Sequence, residues 1–223
     1  MCGRFTQERP ASEFAEIFGA EPLADDPGDR YNVAPTDEAV VVVQRDERRA
    51  VIAYRWGLIP HWAGDAKVGS RMFNARAETI ATSPAFRDAF TRKRCLVPVD
   101  SFYEWKREGA VRQPYRVVQR GGLPLALAGL WSGWRDPATG TVRRTFTIIT
   151  TTPNDALADL HDRMPVVIEP DAWSRWLDPT PAAASELIGL LVPNEVVDLE
   201  VYPVERLVND VRHDGPELIA RLA

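Results

Sequence analysis

The residue with the most unusual chemical potential stands at the very start of the chain. Met1-Cys2-Gly3-Arg4 places a thiol one residue from the initiator methionine. Cysteine is small enough for that methionine to be clipped, and Cys2 would then carry an α-amine and a β-thiol on adjacent carbons. An α-amine titrates near ~8 and a lysine near ~10.4, so at neutral pH the amine's nucleophilic fraction is larger by roughly two to three powers of ten. A thiol with a pKa of about 8.5 beside it is a second nucleophile, activated by a nearby base or cation. Such a pair can condense with an aldehyde to an imine and close through sulfur to a thiazolidine. It can equally attack a carbonyl as thiolate, with its own amine as base. An ordinary early cysteine fits the position as well, so the rest of the chain must decide.

Three further polar residues stand where they could assist. Glu104 lies within Phe102-Tyr103-Glu104-Trp105, where loss of solvation would raise its pKa and make it a general acid near neutrality. The alternative is an outward strand residue beside Lys106 and Arg107. His161, in His161-Asp162-Arg163-Met164-Pro165, is either a dipole-compensating helix cap or an imidazole that moves protons. Arg163 beside it offers a two-pronged phosphate donor. Asn74 is either a helix cap or an amide that orients the Cys2 amine. His61 and His213 have no comparable neighbours and read as structural. Serine-hydrolase elbows, phosphate-cradling loops, dinucleotide fingerprints and HExxH zinc motifs are all missing.

Composition narrows the class. The 223 residues are 45% hydrophobic, enough for one good-sized core, and the two cysteines make no disulfide framework. Three histidines without a CxxC or HxxxH pair predict no metal and no other cofactor. No membrane span and no leader are expected, so the chain reads as cytoplasmic. A net charge of −5 hides an asymmetry. Residues 51–144 hold 16 Lys/Arg against 7 Asp/Glu, whereas 1–50 hold 6 against 11 and 145–223 hold 5 against 14. A basic middle between acidic flanks suits a one-sided phosphate-binding face, although scattered solvated charges would read the same way.

The elements that must position these groups are mostly strands. Residues 2–6 read as a strand burying the terminus, and 10–18 as a helix stopped by Gly19. Residues 21–30 read as a loop, 31–36 as extended, and 40–43 with 51–54 as a hairpin. Trp56 to Trp62 breaks both periods and predicts a structured aromatic loop, either a plug over a barrel end or a platform for bases. Residues 73–78 and 83–90 read as short helices, the second capped by Ser83 with Pro84 following. Strands follow at 95–99, 101–105, 114–119, 125–132 and 145–151. Residues 154–160 read as helix, 164–168 as strand, 171–177 and 181–191 as helices, 199–204 as strand and 216–222 as a terminal helix. The expectation is a single α+β domain over 1–223, with a curled, barrel-like antiparallel β core and peripheral short helices.

Taken in order, Met1–Phe5, Tyr31-Asn-Val-Ala-Pro35, Trp56-Gly-Leu-Ile-Pro60, Asn74-Ala-Arg-Ala-Glu78, Asp100-Ser-Phe-Tyr-Glu-Trp105 and His161–Pro165 resemble the SRAP (SOS-response-associated peptidase) family over nearly the whole chain. The resemblance implies capture of abasic sites in single-stranded DNA as a covalent thiazolidine on Cys2, after removal of Met1. On that pattern Asn74 holds the terminus, Glu104 opens the sugar ring, and His161 assists imine formation and closure. Arg4, Arg76 and Arg163 correspond to phosphate contacts, Pro35, Trp62 and Trp105 to surfaces on which bases pack, and Thr150 to a backbone contact. Residues 83–87 depart from the pattern at the helix start, which leaves Arg87 as the phosphate ligand there. The resemblance further implies a monomer, a lyase-like crosslinking activity, and a cysteine peptidase activity exercised on Met1. Two other readings stay open: an N-terminal-nucleophile amidohydrolase or glutaminase, since those enzymes also begin Met-Cys-Gly, and a non-covalent binder of single strands.

Overall fold

The computed structural model describes residues 2–25, 28–109, 111–180 and 184–222. Its elements are β1 (Arg4–Gln7), α1 (Ala11–Phe18), β2 (Ala20–Pro22), β3 (Arg30–Val33), β4 (Glu38–Arg45), β5 (Arg48–Trp56), β6 (Asn74–Arg76), α2 (Arg87–Arg92), β7 (Arg94–Val99), β8 (Ser101–Glu108), β9 (Val111–Gln119), β10 (Leu125–Arg135), β11 (Val142–Thr151), β12 (Met164–Pro165), α3 (Trp173–Leu177), α4 (Ala184–Ile188) and β13 (Leu199–Pro203), with several short 3-10 turns. One sheet runs β13-β9-β8-β1-β3; the other runs β12-β11-β10-β7-β4-β5-β2. A further pairing of β11 with β5 joins β5, β4, β7, β10 and β11 into a closed five-stranded ring. That closing contact is parallel, Thr145 opposite Arg55 and Phe146 opposite Trp56, while the other four pairings of the ring are antiparallel.

The run Val40–Val43 explains how the ring is filled. Val40 and Val42 face a core shared with Phe14 and Phe18 of α1, Phe90 of α2 and Trp176 of α3. Val41 and Val43 face a second core with Phe5, Trp56, Phe102 and Phe146. Side chains alternate across a strand, so a barrel wall covered on both faces reads as an unbroken apolar run. Each large apolar side chain buried this way contributes roughly 1.5–3 kcal/mol. The five-stranded sheet is fastened to the ring by Gln7, whose side-chain amide donates to the carbonyls of Val40 (2.9 Å) and Pro98 (2.8 Å) and accepts from the Val40 N–H (3.0 Å).

Gly57 ends β5 and turns the chain into the aromatic loop. Its φ of 119° excludes a side chain, and a Cβ there would stand 2.5 Å from the Gly69 carbonyl oxygen. The loop is ordered as expected: Leu58 and Ile59 are buried while Trp62 is exposed.

Several local expectations are corrected. Residues 74–76 are a strand, because their backbone gains more by extending β11 in parallel, Asn74 opposite Ile148, than a single helical turn would return. The second helix begins at Arg87, after a turn in which the Ser83 carbonyl accepts the Phe86 and Arg87 N–H groups, so Ser83 is no N-cap. Residues 154–160 form successive turns with no helix, closed by the Leu157 N–H on the Asn154 carbonyl and the Leu160 N–H on the Leu157 carbonyl. Glu21 and Pro22, read as loop, join Ala20 in a parallel edge strand on β5. The last segment is a 3-10 turn at Pro216–Ile219. Of the helix expected over 181–191, α4 covers Ala184–Ile188, and residues 181–183 lie outside the described part.

Candidate active site

β1 pairs antiparallel with β8, Arg4 opposite Tyr103 and Phe5 opposite Phe102. That register carries the start of the chain alongside Glu104, the residue after Tyr103. Cys2 is fully buried, and its carbonyl accepts a 2.7 Å hydrogen bond from Asn74 Nδ2. Asn74 reaches it from the head of β6, which β11 holds in register through Ile148, Ile149 and Thr150. Of the two roles open for Asn74, the contact is to the chain's start and not to a helix. Met1, and with it any removal of Met1, lies outside the described residues.

Glu104 is 2% exposed. Burial pushes its carboxyl up to about 7, a rise that the amino-terminal charge partly offsets. It is therefore half protonated near neutrality, and the outward-facing alternative is excluded. Burial also pushes the Cys2 thiol well up, and Glu104 lies close enough to raise it further. The thiol is thus held protonated at neutral pH.

His161 is half-buried, and burial moves its pKa down. Its Nδ1 lies 3.0 Å from the Arg163 backbone N–H and 2.7 Å from Asp162 Oδ1. One nitrogen cannot serve both at once. In the neutral ring favoured by burial it accepts from Arg163, which puts the proton on Nε2; in the charged ring it donates to Asp162. The Asp162 side chain is 85% exposed, so water screens its pull on the ring. Glu104, Trp105, Leu160, His161 and Asp162 line one open cleft of about 410 Å³ with Arg107 and Arg112.

The remaining expected residues divide. Arg163 sits against this region. Its guanidinium forks onto Glu78 (2.6 and 2.9 Å) and donates to the Thr150 carbonyl at 2.6 Å, and the Glu78 carboxyl is held below its usual range by that arginine. Thr150 is buried and pairs with Arg76 across β11 and β6, while the Arg76 side chain is exposed. Trp105 is half-buried, and its indole N–H donates to Asn209 Oδ1 at 2.7 Å. Arg4 turns one nitrogen to the Val208 carbonyl (2.7 Å) and Asn32 Oδ1 (3.1 Å), tying β1 to the C-terminal segment. Pro35 is half-buried in a tight turn where the Asp37 carboxylate accepts the Ala34 N–H. Trp62 is exposed and lines a different cleft with His61, Pro84 and Lys93. Arg87 is exposed at the head of α2, 3.6 Å from Asp88.

Two things escaped the sequence. The Glu78 clamp on Arg163 links residues 85 positions apart. Arg107 and Arg112 face each other across the β8–β9 hairpin, a pairing that the turn after Arg107 could have suggested. Among the described residues, no cluster of three or more His, Cys, Asp or Glu is placed to hold a metal ion, and no helix is long and apolar enough to cross a membrane.

Comparison with known proteins places this geometry in context. The family model described as SOS response associated peptidase (SRAP) matches residues 1–211. The chain is 40% identical to the abasic site processing protein YoqW of Bacillus subtilis, over 98% of this chain and 99% of that one. It is 31% identical to the abasic site processing protein YedK of Escherichia coli over the same shares. The abasic site processing protein HMCES of Gallus gallus is 29% identical, over 85% of this chain and 65% of its own length. Among solved structures, a Bacteroides thetaiotaomicron protein superposes over the whole of both chains with a TM-score of 0.89 at 26% identity. A phage-related protein from Bordetella bronchiseptica has a TM-score of 0.70 at 32% identity, over 92% of this chain and 95% of that one.

Proposed function

This chain belongs to the SOS response associated peptidase (SRAP) family, and we propose that it processes abasic sites in single-stranded DNA by bonding them covalently to Cys2 once Met1 is gone. The observation that carries this reading is the anchored start of the chain. Asn74 grips the Cys2 carbonyl beside a carboxyl that is half protonated at neutral pH.

An abasic deoxyribose closes as a hemiacetal and reacts as its open aldehyde. Glu104 gives a proton to the ring oxygen as the bond from C1′ to that oxygen breaks, and recovers the proton released by the C1′ hydroxyl. The Cys2 amine then adds to C1′, giving a carbinolamine. His161, in its charged ring, gives the Nε2 proton to the hydroxyl, which leaves as water, and takes back the proton that the nitrogen loses as the imine forms. The Cys2 sulfur closes on the imine carbon, and its proton passes to nitrogen. Water is the only by-product and the thiazolidine ring keeps both Cys2 atoms. A thiol held protonated by burial fits this order, amine first and sulfur second. Anchoring the Cys2 carbonyl leaves the amine fewer positions to search, which is how orientation lowers a barrier. Arg76, Arg87 and Arg163 take backbone phosphates, and Trp62, Trp105 and Pro35 offer faces for bases.

Intact-mass measurement tests the proposal. The mature protein should lack Met1 and gain one abasic oligonucleotide less one water, in an adduct that survives heating. Cys2→Ala should give none, and Cys2→Ser only a weaker or more labile link. Equal adduct from wild type and Cys2→Ala would end the proposal. Glutamine hydrolysis without DNA would favour the amidohydrolase reading, and salt-sensitive binding without adduct the non-covalent one.

A further inference from the structure

The cleft that holds Glu104 and His161 has a basic lip to which no role attaches above. Arg107 and Arg112 stand directly opposite each other on β8 and β9, both exposed, and both line that cleft. Like charges in a cross-strand pair destabilise a hairpin. Neither guanidinium makes an ion pair or side-chain hydrogen bond with a described side chain, whereas other arginines are drawn onto carboxylates: Arg9 to Asp100, Arg116 to Glu8, Arg163 to Glu78, Arg221 to Glu200. Asp162 lines the same cleft with its Oδ1 2.7 Å from His161 Nδ1. Two planar forks a strand apart, with no partner among the described side chains, stand at the mouth of an acid–base site as an incomplete arrangement. A tetrahedral dianion or phosphodiester between them would relieve the repulsion and satisfy both.

We infer that Arg107 and Arg112 together clamp one backbone phosphate of the DNA strand, next to the sugar presented to Glu104 and His161. The inference rests on the preceding reading only in taking single-stranded DNA as the ligand. It places the strand across the β8–β9 hairpin, with the hairpin's repulsion relieved when the strand binds.

The test is reversible binding of an intact single-stranded oligonucleotide, which has no aldehyde, measured against salt. For the Arg107→Gln/Arg112→Gln double variant, the slope of log K against log salt should shrink by about 0.7, one single-strand phosphate contact. Kd at low salt should rise roughly tenfold. Arg48→Gln removes an exposed arginine of the β4–β5 hairpin, paired with Glu21, and should leave the slope unchanged. A double variant with the wild-type slope overturns the clamp, as does an Arg48→Gln variant that loses as much. Adduct formation with an abasic strand is scored separately, so wild-type crosslinking with an unchanged slope would defeat the clamp and spare the covalent reading.

Discussion

Glu104→Gln separates the chemistry of this site from its fold, because the change keeps the shape and removes the proton. The folded-state pKa of Glu104 is about 7 against an ordinary 4.5. Below ~4.5 the group is protonated in both states and contributes nothing unfavourable. Between 4.5 and 7 the unfolded chain ionises while the folded one does not, so the folded state holds the extra proton and stability falls as pH rises. The full difference of 2.5 units corresponds to about 3 kcal/mol, all of it lost by pH 8. Most of that window lies above pH 5. Chemical denaturation at pH 5 and pH 8 should therefore show Glu104→Gln gaining about 2–3 kcal/mol on wild type between the two. Wild-type crosslinking should fall over the same range. Wild-type rate limited by ring opening should fall as pH rises through 7, while the variant should be slow and flat across that range. A stability difference independent of pH would refute the buried-acid argument, whatever the activity shows.

Other perturbations follow from single contacts. Asn74→Ala removes the grip on the Cys2 carbonyl and should slow adduct formation roughly tenfold, about 1.4 kcal/mol, while saturation with DNA is unchanged; an unaltered single-turnover rate would show that the terminus needs no anchor. Asp162→Asn removes a neighbouring charge that holds the His161 pKa up. The midpoint should move further down and the Nε2–H form should gain, as read by ring ¹⁵N shifts in NMR, and an unmoved midpoint would count against the Asp162 contact. Gly57→Ala forces a Cβ to 2.5 Å from the Gly69 carbonyl at a φ of 119°. It should cost about 2 kcal/mol or more in denaturant titrations, and a neutral result would mean that the aromatic loop adjusts freely.

The strand ladder from 95 to 151 was legible because alternation and turn chemistry are local: Val97, Val99 and Leu127 fall on one face, Leu96, Ala126 and Ala128 on the other. The α1 helix was legible for the same reason, since Phe14, Phe18 and the left-handed Gly19 all lie within one short segment. Segments 73–78 and 154–160 were misread because neither has a strong period of its own. The edge of β11 recruited the first as a strand, and the second settled into turns beneath Met164.

What the sequence determined by itself was the inventory: an amine and thiol latent at Cys2, an acid wedged among aromatics at Glu104, an imidazole next to Arg163, and a strand-rich core to carry them. Tertiary structure alone decided which states those groups occupy. The pairing of β1 with β8 brings residues about a hundred positions apart into one neighbourhood, and the depth of Glu104 there sets its proton affinity. Asn74 became a clamp on the chain's start through the parallel seat of β6 on β11. Arg163 met Glu78 by the same kind of long-range placement. Side-chain chemistry is written residue by residue, but solvation and field arise only from what the folded chain packs around each group.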